Sequence, residues 1–337
     1  MKIPFSVAFS EYSGFVVAFI ANLCLIFLIV TQTRQNFGAY KYLMLWFAAF
    51  SLWYSLIDVI TQPGMHSYKN AYIVFCASWF KYYQNLAPVI ISSYCTSYGL
   101  TLVLLAIHFI YRYIAMNNPQ AIIYFKFPLV LIWPTIFLIV AVFWWCNVYF
   151  LLGSNDIVDD YMRESINEYY DVDIKNLSYI GPLYYIINAD GGIELQIKSC
   201  VGMANVYAIA ITTLVLIVSL GASVFKKMRS TQSFVSPKTR ELQKQLFHAL
   251  TVQTIIPIIF MYLPTTILFL TPIFGVEIGS MANMTSICLA LYPALDPLVV
   301  MYFIRDYRKY ILKRLHIAHK VSSTKITSIT ERKSDVV

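Results

Sequence analysis

Charged residues are scarce in this 337-residue chain. Asp, Glu, Lys and Arg together make up 12% of it, while hydrophobic residues make up 59%. A soluble globular domain typically has a charged share of roughly 25%, so the composition excludes an ordinary soluble domain. The charges lie mostly between long apolar runs, whose lengths are near the roughly 20 residues that a helix needs to cross a bilayer.

Signatures of enzymes, metal centres and repeat-built transporters are also missing. The sequence contains no Gly-rich phosphate loop, HExxH motif or nucleophile elbow, and its five His residues are not grouped with carboxylates in a metal-ligand pattern. No internal repeat supports an inverted-repeat transporter. We therefore predict no catalytic residue, metal or cofactor. The net charge of +8 comes from loops that face anionic lipid and a cytosolic partner, not from a nucleic-acid surface.

Seven apolar stretches predict an all-α integral membrane bundle, because lipid offers the backbone no partners and each spanning segment must close its own hydrogen bonds. They form one domain, residues 1–318, and the polar segment 319–337 is predicted to be a disordered cytoplasmic tail. Two acids fall inside the spans, Asp58 and Asp296, without the short Gly and Asp motifs of an intramembrane protease. The predicted spans are residues 12–31, 41–62, 88–111, 128–152, 201–225, 249–272 and 282–304.

A basic segment after the seventh span predicts an amphipathic helix on the inner leaflet, residues 305–318. Tyr307, Ile311 and Leu315 recur on one helical face, with Lys and Arg around them. That pattern is typical of helices that lie at a membrane surface.

The distribution of basic residues predicts the orientation of the bundle. When the chain is divided at the predicted spans, 19 of the 25 Lys and Arg fall on one side of the membrane. They lie in the tail, in one set of alternate loops, or at the edges of those loops. Cytoplasmic loops are enriched in Lys and Arg, so the N-terminus is expected outside and the C-terminus in the cytosol. The first span is expected to act as a signal anchor and not as a cleaved signal peptide. Seven-helix channels of the insect odorant-receptor kind have the opposite orientation and are disfavoured.

The longest connection expected outside, 153–200, is rich in acids and tyrosines. Gly191–Gly192 predicts a hairpin turn between short apolar segments, and the connection is either a lid over a ligand pocket or a solvated loop. Asn176 begins an Asn-Leu-Ser glycosylation sequon there. Among the six cysteines, Cys76 and Cys200 fall near the outside face, where a disulfide between them is one of the alternatives.

Prolines are placed where they can bend the last two spans. Pro257 and Pro264 fall in the sixth span, and Pro293 and Pro297 fall in the seventh. Each removes a backbone hydrogen bond and permits a kink. The kinks are either static or allow a cytoplasmic cleft to open when a ligand binds outside.

Six motifs are spread over most of the chain, from the first inside loop to the inner-leaflet helix. They are GAYKYLM at 38–44, the segment 103–113 that ends in HFIYRY, LQKQLF at 242–247, QTIIPIIFMYLP at 253–264, LYPALDP at 291–297 and IRDYR at 304–308. Together they resemble the nematode seven-helix chemoreceptors of the Str type.

The resemblance implies a G-protein-coupled olfactory receptor at the plasma membrane of sensory-neuron cilia. Such a receptor binds a small volatile odorant and activates a heterotrimeric G protein. The alternative is a ligand-gated ion channel or transporter. The expected partners are the odorant, the G protein and membrane lipid, with a trafficking chaperone and a homo- or hetero-oligomeric partner as further candidates.

The resemblance also implies a switch at the inner end of the bundle. Tyr111-Arg112-Tyr113 is similar to the Asp-Arg-Tyr motif of rhodopsin-like receptors, in which the Arg is a conformational latch and meets the G protein. In this chain Tyr111 takes the place of the acid. Asp296-Pro297 is similar to the Asn-Pro pair of the seventh span, and Tyr302 is the candidate for the tyrosine that follows that pair.

A small apolar ligand is expected in a cavity between the outer halves of the third, fifth, sixth and seventh spans, with a few polar anchors. The third span is the best candidate because its segment 92–98 is dense in Ser, Thr and Tyr. The alternative is that these hydroxyls bond back to their own helix or join neighbouring helices. The predicted ligand-contacting residues are Ser92, Ser93, Thr96, Tyr207, Tyr262, Thr265 and Ser286.

Overall fold

A computed structural model describes residues 5–33, 38–230 and 237–315. Within these ranges, seven helical stretches are long and apolar enough to cross a membrane, which confirms the predicted bundle. The predicted tail, 319–337, and the end of the predicted inner helix, 316–318, lie outside the described residues. The seven stretches are Phe5–Gln32, Tyr40–Thr61, Ala87–Asn117, Leu129–Leu151, Ile197–Lys227, Lys244–Phe274 and Ser280–Phe303.

The helices are numbered in chain order. Spans four and six each contain a π-helical turn: Asn147–Leu151 follows α4, and Ile258–Tyr262 joins α7 to α8. The second turn lies between two prolines, where a regular helix loses backbone hydrogen bonds. The helices are α1 (Phe5–Gln32), α2 (Tyr40–Thr61), α3 (Ala87–Asn117), α4 (Ile132–Cys146), α5 (Asp156–Tyr170), α6 (Ile197–Ser230), α7 (Pro237–Pro257), α8 (Leu263–Leu270), α9 (Asn283–Phe303) and α10 (305–315).

The two ends of the bundle differ in structure. Within the described residues, one end, the strand face, carries five short strands, and the other, the basic face, carries α10 and the helix ends at which Lys and Arg are concentrated. An antiparallel sheet of three strands has β2 at its centre, and β4 and β5 form a separate hairpin. The strands are β1 (Pro63–Tyr68), β2 (Ala71–Cys76), β3 (Tyr179–Ile180), β4 (Tyr185–Ile187) and β5 (Ile193–Leu195).

The hairpin predicted around Gly191–Gly192 is confirmed as the β4–β5 pair. Gly191 has a φ of +81°, a conformation that glycine adopts without a steric penalty. The β1–β2 hairpin and helix α5 are additions that an all-α bundle does not include. Both lie on the strand face, in connections between spans.

Helix α5 covers the sheet on the strand face. The Asn155 side chain caps its first turn by accepting a hydrogen bond from the Val158 N–H at 3.1 Å. Val158, Met162 and Ile166 then recur on one face and are buried against Phe75 of β2. The sheet and α5 therefore form a small hydrophobic core of their own above the membrane-spanning helices.

Small side chains bring α1 close to α9. Ser10, Gly14 and Ala18 are spaced one helical turn apart and are all buried. A Cβ atom on Gly14 would lie 2.6 Å from the carbonyl oxygen of Ala290, which is closer than side chains approach a backbone. Small residues at a spacing of four allow transmembrane helices to pack at short range in this way.

Asn22 of α1 satisfies a backbone carbonyl that a proline leaves free. Pro297 has no N–H, so the carbonyl of Pro293, four residues earlier, loses its usual partner in α9. The Asn22 side chain donates to that carbonyl at 3.0 Å and also donates to the Ala18 carbonyl at 2.8 Å. Lipid supplies no donor to replace it, so this contact makes α9 depend on α1.

We expect Asn22→Leu to destabilise the bundle by about 1–3 kcal/mol, the usual cost of an unsatisfied buried polar group. The measurement is the melting temperature of the purified chain in detergent. The matched control is Leu23→Ala at the next position, where the side chain is 44% exposed on the lipid side. An Asn22→Leu chain that melts like wild type would contradict the role given to this side chain.

Candidate ligand cavity and inner switch

A cavity lies among the helices near the strand face. The centre of a water-sized sphere can reach about 60 Å³ of it, several times the roughly 10–15 Å³ that one water needs, so it has room for a small ligand. Its wall comes from α3, α6, α8 and α9, from the end of α4 and the π turn that follows it, from strands β1, β2 and β3, and from Gly181. Residues that bring polar or aromatic groups to the wall include Tyr72, Tyr94, Cys95, Tyr98, Thr265 and Phe269.

The cavity wall is apolar with a few hydroxyl groups. Among the described residues that line it, none is charged. The Tyr98 hydroxyl and the Thr265 hydroxyl are 3.0 Å apart, and the Tyr72 hydroxyl donates to the Met203 sulfur at 3.3 Å. A charged ligand would lose its hydration there without gaining an ionic partner. The chemistry therefore fits a small, uncharged, mostly apolar ligand.

The connection between spans four and five covers this cavity. Gly181 lies so close to the Tyr72 carbonyl that a side chain at position 181 would overlap it. Further along, the Tyr184 hydroxyl donates to the Phe269 carbonyl at 3.0 Å, which attaches the connection to the end of α8. The acids Asp160 and Glu164 of α5 are exposed. The connection is thus a lid over the cavity whose outer surface is acidic and solvated.

The structure brings one of the seven predicted ligand residues, Thr265, into the cavity wall. On α3 the wall is made by Tyr94, Cys95 and Tyr98, whereas Thr96 donates to the Ser92 carbonyl of its own helix at 2.7 Å. The predicted helix α3 does contribute to the cavity wall, but its rotation decides which of its side chains face the cavity.

The other predicted ligand residues contact protein groups elsewhere. Ser93 donates to the Val89 carbonyl at 2.8 Å, Tyr262 contacts the Thr213 hydroxyl at 3.2 Å, and Ser286 donates to the Pro63 carbonyl. The Tyr207 ring lies edge-on to Phe269, with centroids 6.0 Å apart, behind the wall. Bonding within the protein, the alternative weighed for these hydroxyls, holds for these three.

Arg112 is buried at the basic-face end of α3, with 2% of its surface exposed. Its guanidinium carbon lies 4.2 Å from the centroid of the Tyr40 ring, a cation–π contact between α3 and α2. Tyr111 stacks on the same Tyr40 ring at 5.3 Å and meets Phe125 edge-on at 4.8 Å. Tyr113 is only half-buried. No acid precedes Arg112 in this chain. Instead, the Tyr40 ring of α2 packs against the arginine.

Asp296 joins α9 to α7. Its carboxylate accepts a hydrogen bond from the Gln253 amide at 3.0 Å, and both side chains are buried. Pro297, also buried, follows in the same turn. Gln253 and Asp296 line a second, smaller cavity together with Tyr40 and His108. Tyr40, whose ring packs against Arg112, therefore lines the same internal space as Gln253 and Asp296.

The structure corrects the prediction for Tyr302. Its side chain is 62% exposed on the lipid side of α9, under the guanidinium of Arg308. Among the described tyrosines that follow Pro297, the buried one is Tyr307 of α10, whose hydroxyl bonds to that of Thr33. The break at Ile304, where ψ is 110°, turns the chain and brings Tyr307 under the bundle.

The structure does not form the Cys76–Cys200 disulfide; both thiols are free. Cys76 donates to the Thr61 carbonyl at 3.3 Å, and burial raises the pKa of its thiol. Cys200 instead donates to the Tyr184 carbonyl at 3.6 Å. The two sulfurs are held by different partners because β2 directs Cys76 toward the end of α2. Asn176, the predicted glycosylation site, is exposed.

Comparison with known proteins identifies one family across most of the chain. The family described as "Serpentine type 7TM GPCR chemoreceptor Str" matches residues 7–312. The chain is 33% identical over 322 residues to "Serpentine receptor class r-10" of Caenorhabditis briggsae, covering 95% of this chain and 94% of the relative. It is 34% identical over 307 residues to the protein of the same name from Caenorhabditis elegans, covering 91% and 90%. "G-protein coupled receptor str-33" of Caenorhabditis elegans is 25% identical over 298 residues, covering 88% and 86%.

The buried His66 of β1 predicts a pH-dependent stability of the lid. Its ring is 2.8 Å from the Ser165 hydroxyl of α5 and is fully buried, and this burial lowers its pKa from 6.5 to about 4. The unfolded chain therefore takes up a proton at a higher pH than the folded one. The stabilisation is complete above pH 6.5 and is lost as the pH falls toward 4, by roughly 2 kcal/mol at pH 5.

The measurement is the loss of melting temperature between pH 7.5 and pH 5, in wild type and in His66→Gln. The variant should lose less, because it no longer takes up this proton. His248→Gln changes an exposed histidine and should behave as wild type. An equal pH response in wild type and His66→Gln would contradict the prediction.

Proposed function

The chain belongs to the Str family of serpentine seven-transmembrane chemoreceptors, and we propose that it is an olfactory receptor that couples a small, uncharged ligand to a heterotrimeric G protein. The family and the relatives are GPCR-type receptors and not enzymes. We further propose that the ligand is a volatile odorant and that the partner is a G protein.

The uncharged cavity under the lid is the observation that carries the ligand class. Its wall offers the Tyr98–Thr265 hydroxyl pair in an otherwise apolar and aromatic surface. The Thr265 hydroxyl donates to the Met261 carbonyl of its own helix, so it offers a ligand an acceptor, and the Tyr98 hydroxyl offers the donor. A ligand with one carbonyl or hydroxyl group can use one of the two while its carbon atoms fill the rest. This distribution suits small ketones, esters, aldehydes and alcohols better than ions or peptides.

The basic face is the proposed site of G-protein contact. It carries Arg112 at the end of α3, packed against Tyr40. The hydrogen bond between Gln253 of α7 and Asp296 of α9 lies nearby, deeper in the bundle. Movement of α7 relative to α9 would have to break that bond. Because α7 leads into a π turn and two prolines, it is the span best suited to such a movement.

The proposed orientation places the strand face outside the cell and the basic face in the cytosol. The excess of Lys and Arg at the basic face supports it. The exposed sequon at Asn176 lies on the strand face, where glycosylation requires the same orientation. We place the receptor in the plasma membrane of sensory-neuron cilia as part of this proposal.

We expect Arg112→Ala to abolish the ligand-evoked response, because it removes the cation held at the end of α3. Cells expressing the chain would be tested with a panel of small neutral volatiles, with cAMP or calcium as the readout and surface expression measured in parallel. Arg163→Ala, an exposed change on α5, is the control and should respond as wild type. A response that survives both Arg112→Ala and G-protein blockade would favour a ligand-gated channel.

Thr265→Val removes one cavity hydroxyl at nearly constant volume and tests the ligand site. For agonists that carry a hydroxyl group, which can donate to the Thr265 oxygen, the half-maximal concentration should rise roughly tenfold, the value of one hydrogen bond. Thr271→Val at the exposed end of the same span, whose hydroxyl donates to the Ile267 carbonyl at 3.0 Å, should have no effect. Identical dose–response curves for both variants would place the ligand elsewhere.

A further inference from the structure

A groove opens on the lipid-facing side of the bundle where α1, α9 and α10 meet. The centre of a water-sized sphere can reach about 580 Å³ of it, and Arg308 is the one charged residue in its described wall. Val17, Ile20 and Tyr302 are 48%, 57% and 62% exposed, so the groove faces the surroundings of the bundle. The wall otherwise consists of apolar side chains from the three helices, among them Cys24, Leu298 and Ile311.

The inner end of the groove lies at the depth of one leaflet of a bilayer. Val17 lies fifteen positions before Gln32, the basic-face end of α1, which is about 22 Å along the helix. Half of the hydrocarbon core measures about 15 Å, and the headgroup region adds several more. The groove thus extends from the level of the headgroups at α10 to near the middle of the membrane.

Arg308 stands at the polar end of the groove in a fixed position. Its Nη1 donates to the Tyr302 carbonyl at 3.2 Å, and its guanidinium carbon lies 5.5 Å from the Tyr302 ring centroid. A guanidinium has five N–H donors, so donors remain for a ligand at the exposed end. Arg305 and Lys309, both exposed on the same short helix, add positive potential around this point.

We propose that the groove binds one anionic phospholipid, with an acyl chain along α1 and α9 and the phosphate at Arg308. Such a lipid would contact three helices at once and hold α10 against the two helices that meet at the basic face. The charge selects this occupant. A neutral sterol, or an apolar helix of a second copy of the chain, would cover Arg308 without offering it an acceptor, and a covered, unpaired charge is costly.

The experiment is native mass spectrometry of the purified full chain in a neutral detergent. The chain is incubated with equal amounts of dioleoyl phosphatidylserine and dioleoyl phosphatidylcholine, and the retained lipids are counted. Wild type should retain one lipid, with phosphatidylserine preferred. Arg308→Gln should lower the ratio of phosphatidylserine to phosphatidylcholine about fivefold, the effect of one basic residue near an anionic headgroup. Cys24→Trp fills the groove and should lower retention of both lipids.

Two matched controls separate the groove from general effects. Arg314→Gln removes a charge from α10 outside the groove, where the side chain contacts Tyr310. Val218→Trp adds an indole to the exposed surface of α6, at a side chain that is 58% exposed. Both should retain lipid as wild type does. The melting temperature of each variant shows whether it is folded.

Four outcomes would overturn the proposal. They are no lipid retained by wild type, equal retention of the two lipids by wild type, the same loss in Arg308→Gln and Arg314→Gln, and a lipid-independent dimer that Cys24→Trp dissociates. The last would assign the groove to a second copy of the chain. None of these outcomes depends on the ligand or the G protein, so the test is independent of the proposed function.

Discussion

The interior of a bilayer offers no hydrogen-bond partner to a free backbone group. This constraint applies directly to α9, because prolines interrupt its backbone hydrogen bonds. It contains Pro293 and Pro297, each of which leaves a carbonyl without its usual donor. Asn22 of α1 satisfies one of them, and it can do so because Gly14 and Ala18 let the two helices approach closely. The first and last spans are therefore joined by necessity, and this contact closes the bundle.

The same helix contributes to both functional regions. Near the strand face, Asn283 bonds to the Tyr170 hydroxyl of α5 and accepts from the Met65 N–H of β1, which attaches the lid to α9. Six residues further along α9, Leu289 lines the candidate ligand cavity. Nearer the basic face, Asp296 bonds to Gln253 of α7. A shift of α9 or α7 would therefore change the contacts at the cavity and at the end of the bundle where Arg112 lies.

The two ends of the bundle differ in how they are closed and in the charge that they carry. On the strand face, a sheet and an amphipathic helix close the cavity, with apolar side chains facing the bundle and acids facing outward. On the basic face, α10 turns at Ile304, buries Tyr307 and leaves Arg308 beside a lipid-facing groove. One end is closed over an uncharged space, whereas the other carries the exposed cations Arg305, Arg308 and Lys309.

The sequence by itself determined the seven spans, the uneven distribution of basic residues, the turn at Gly191–Gly192 and the position of Arg112 at a helix end. These features depend on local composition, length and turn chemistry. Only the tertiary structure decided that Tyr94 and Tyr98, not Ser92 and Thr96, face the cavity, that Tyr307 replaces Tyr302 as the buried tyrosine, and that Cys76 and Cys200 stay apart. Spans that are apolar on all sides carry little periodicity to fix their rotation, so their neighbours decide which side chains point inward.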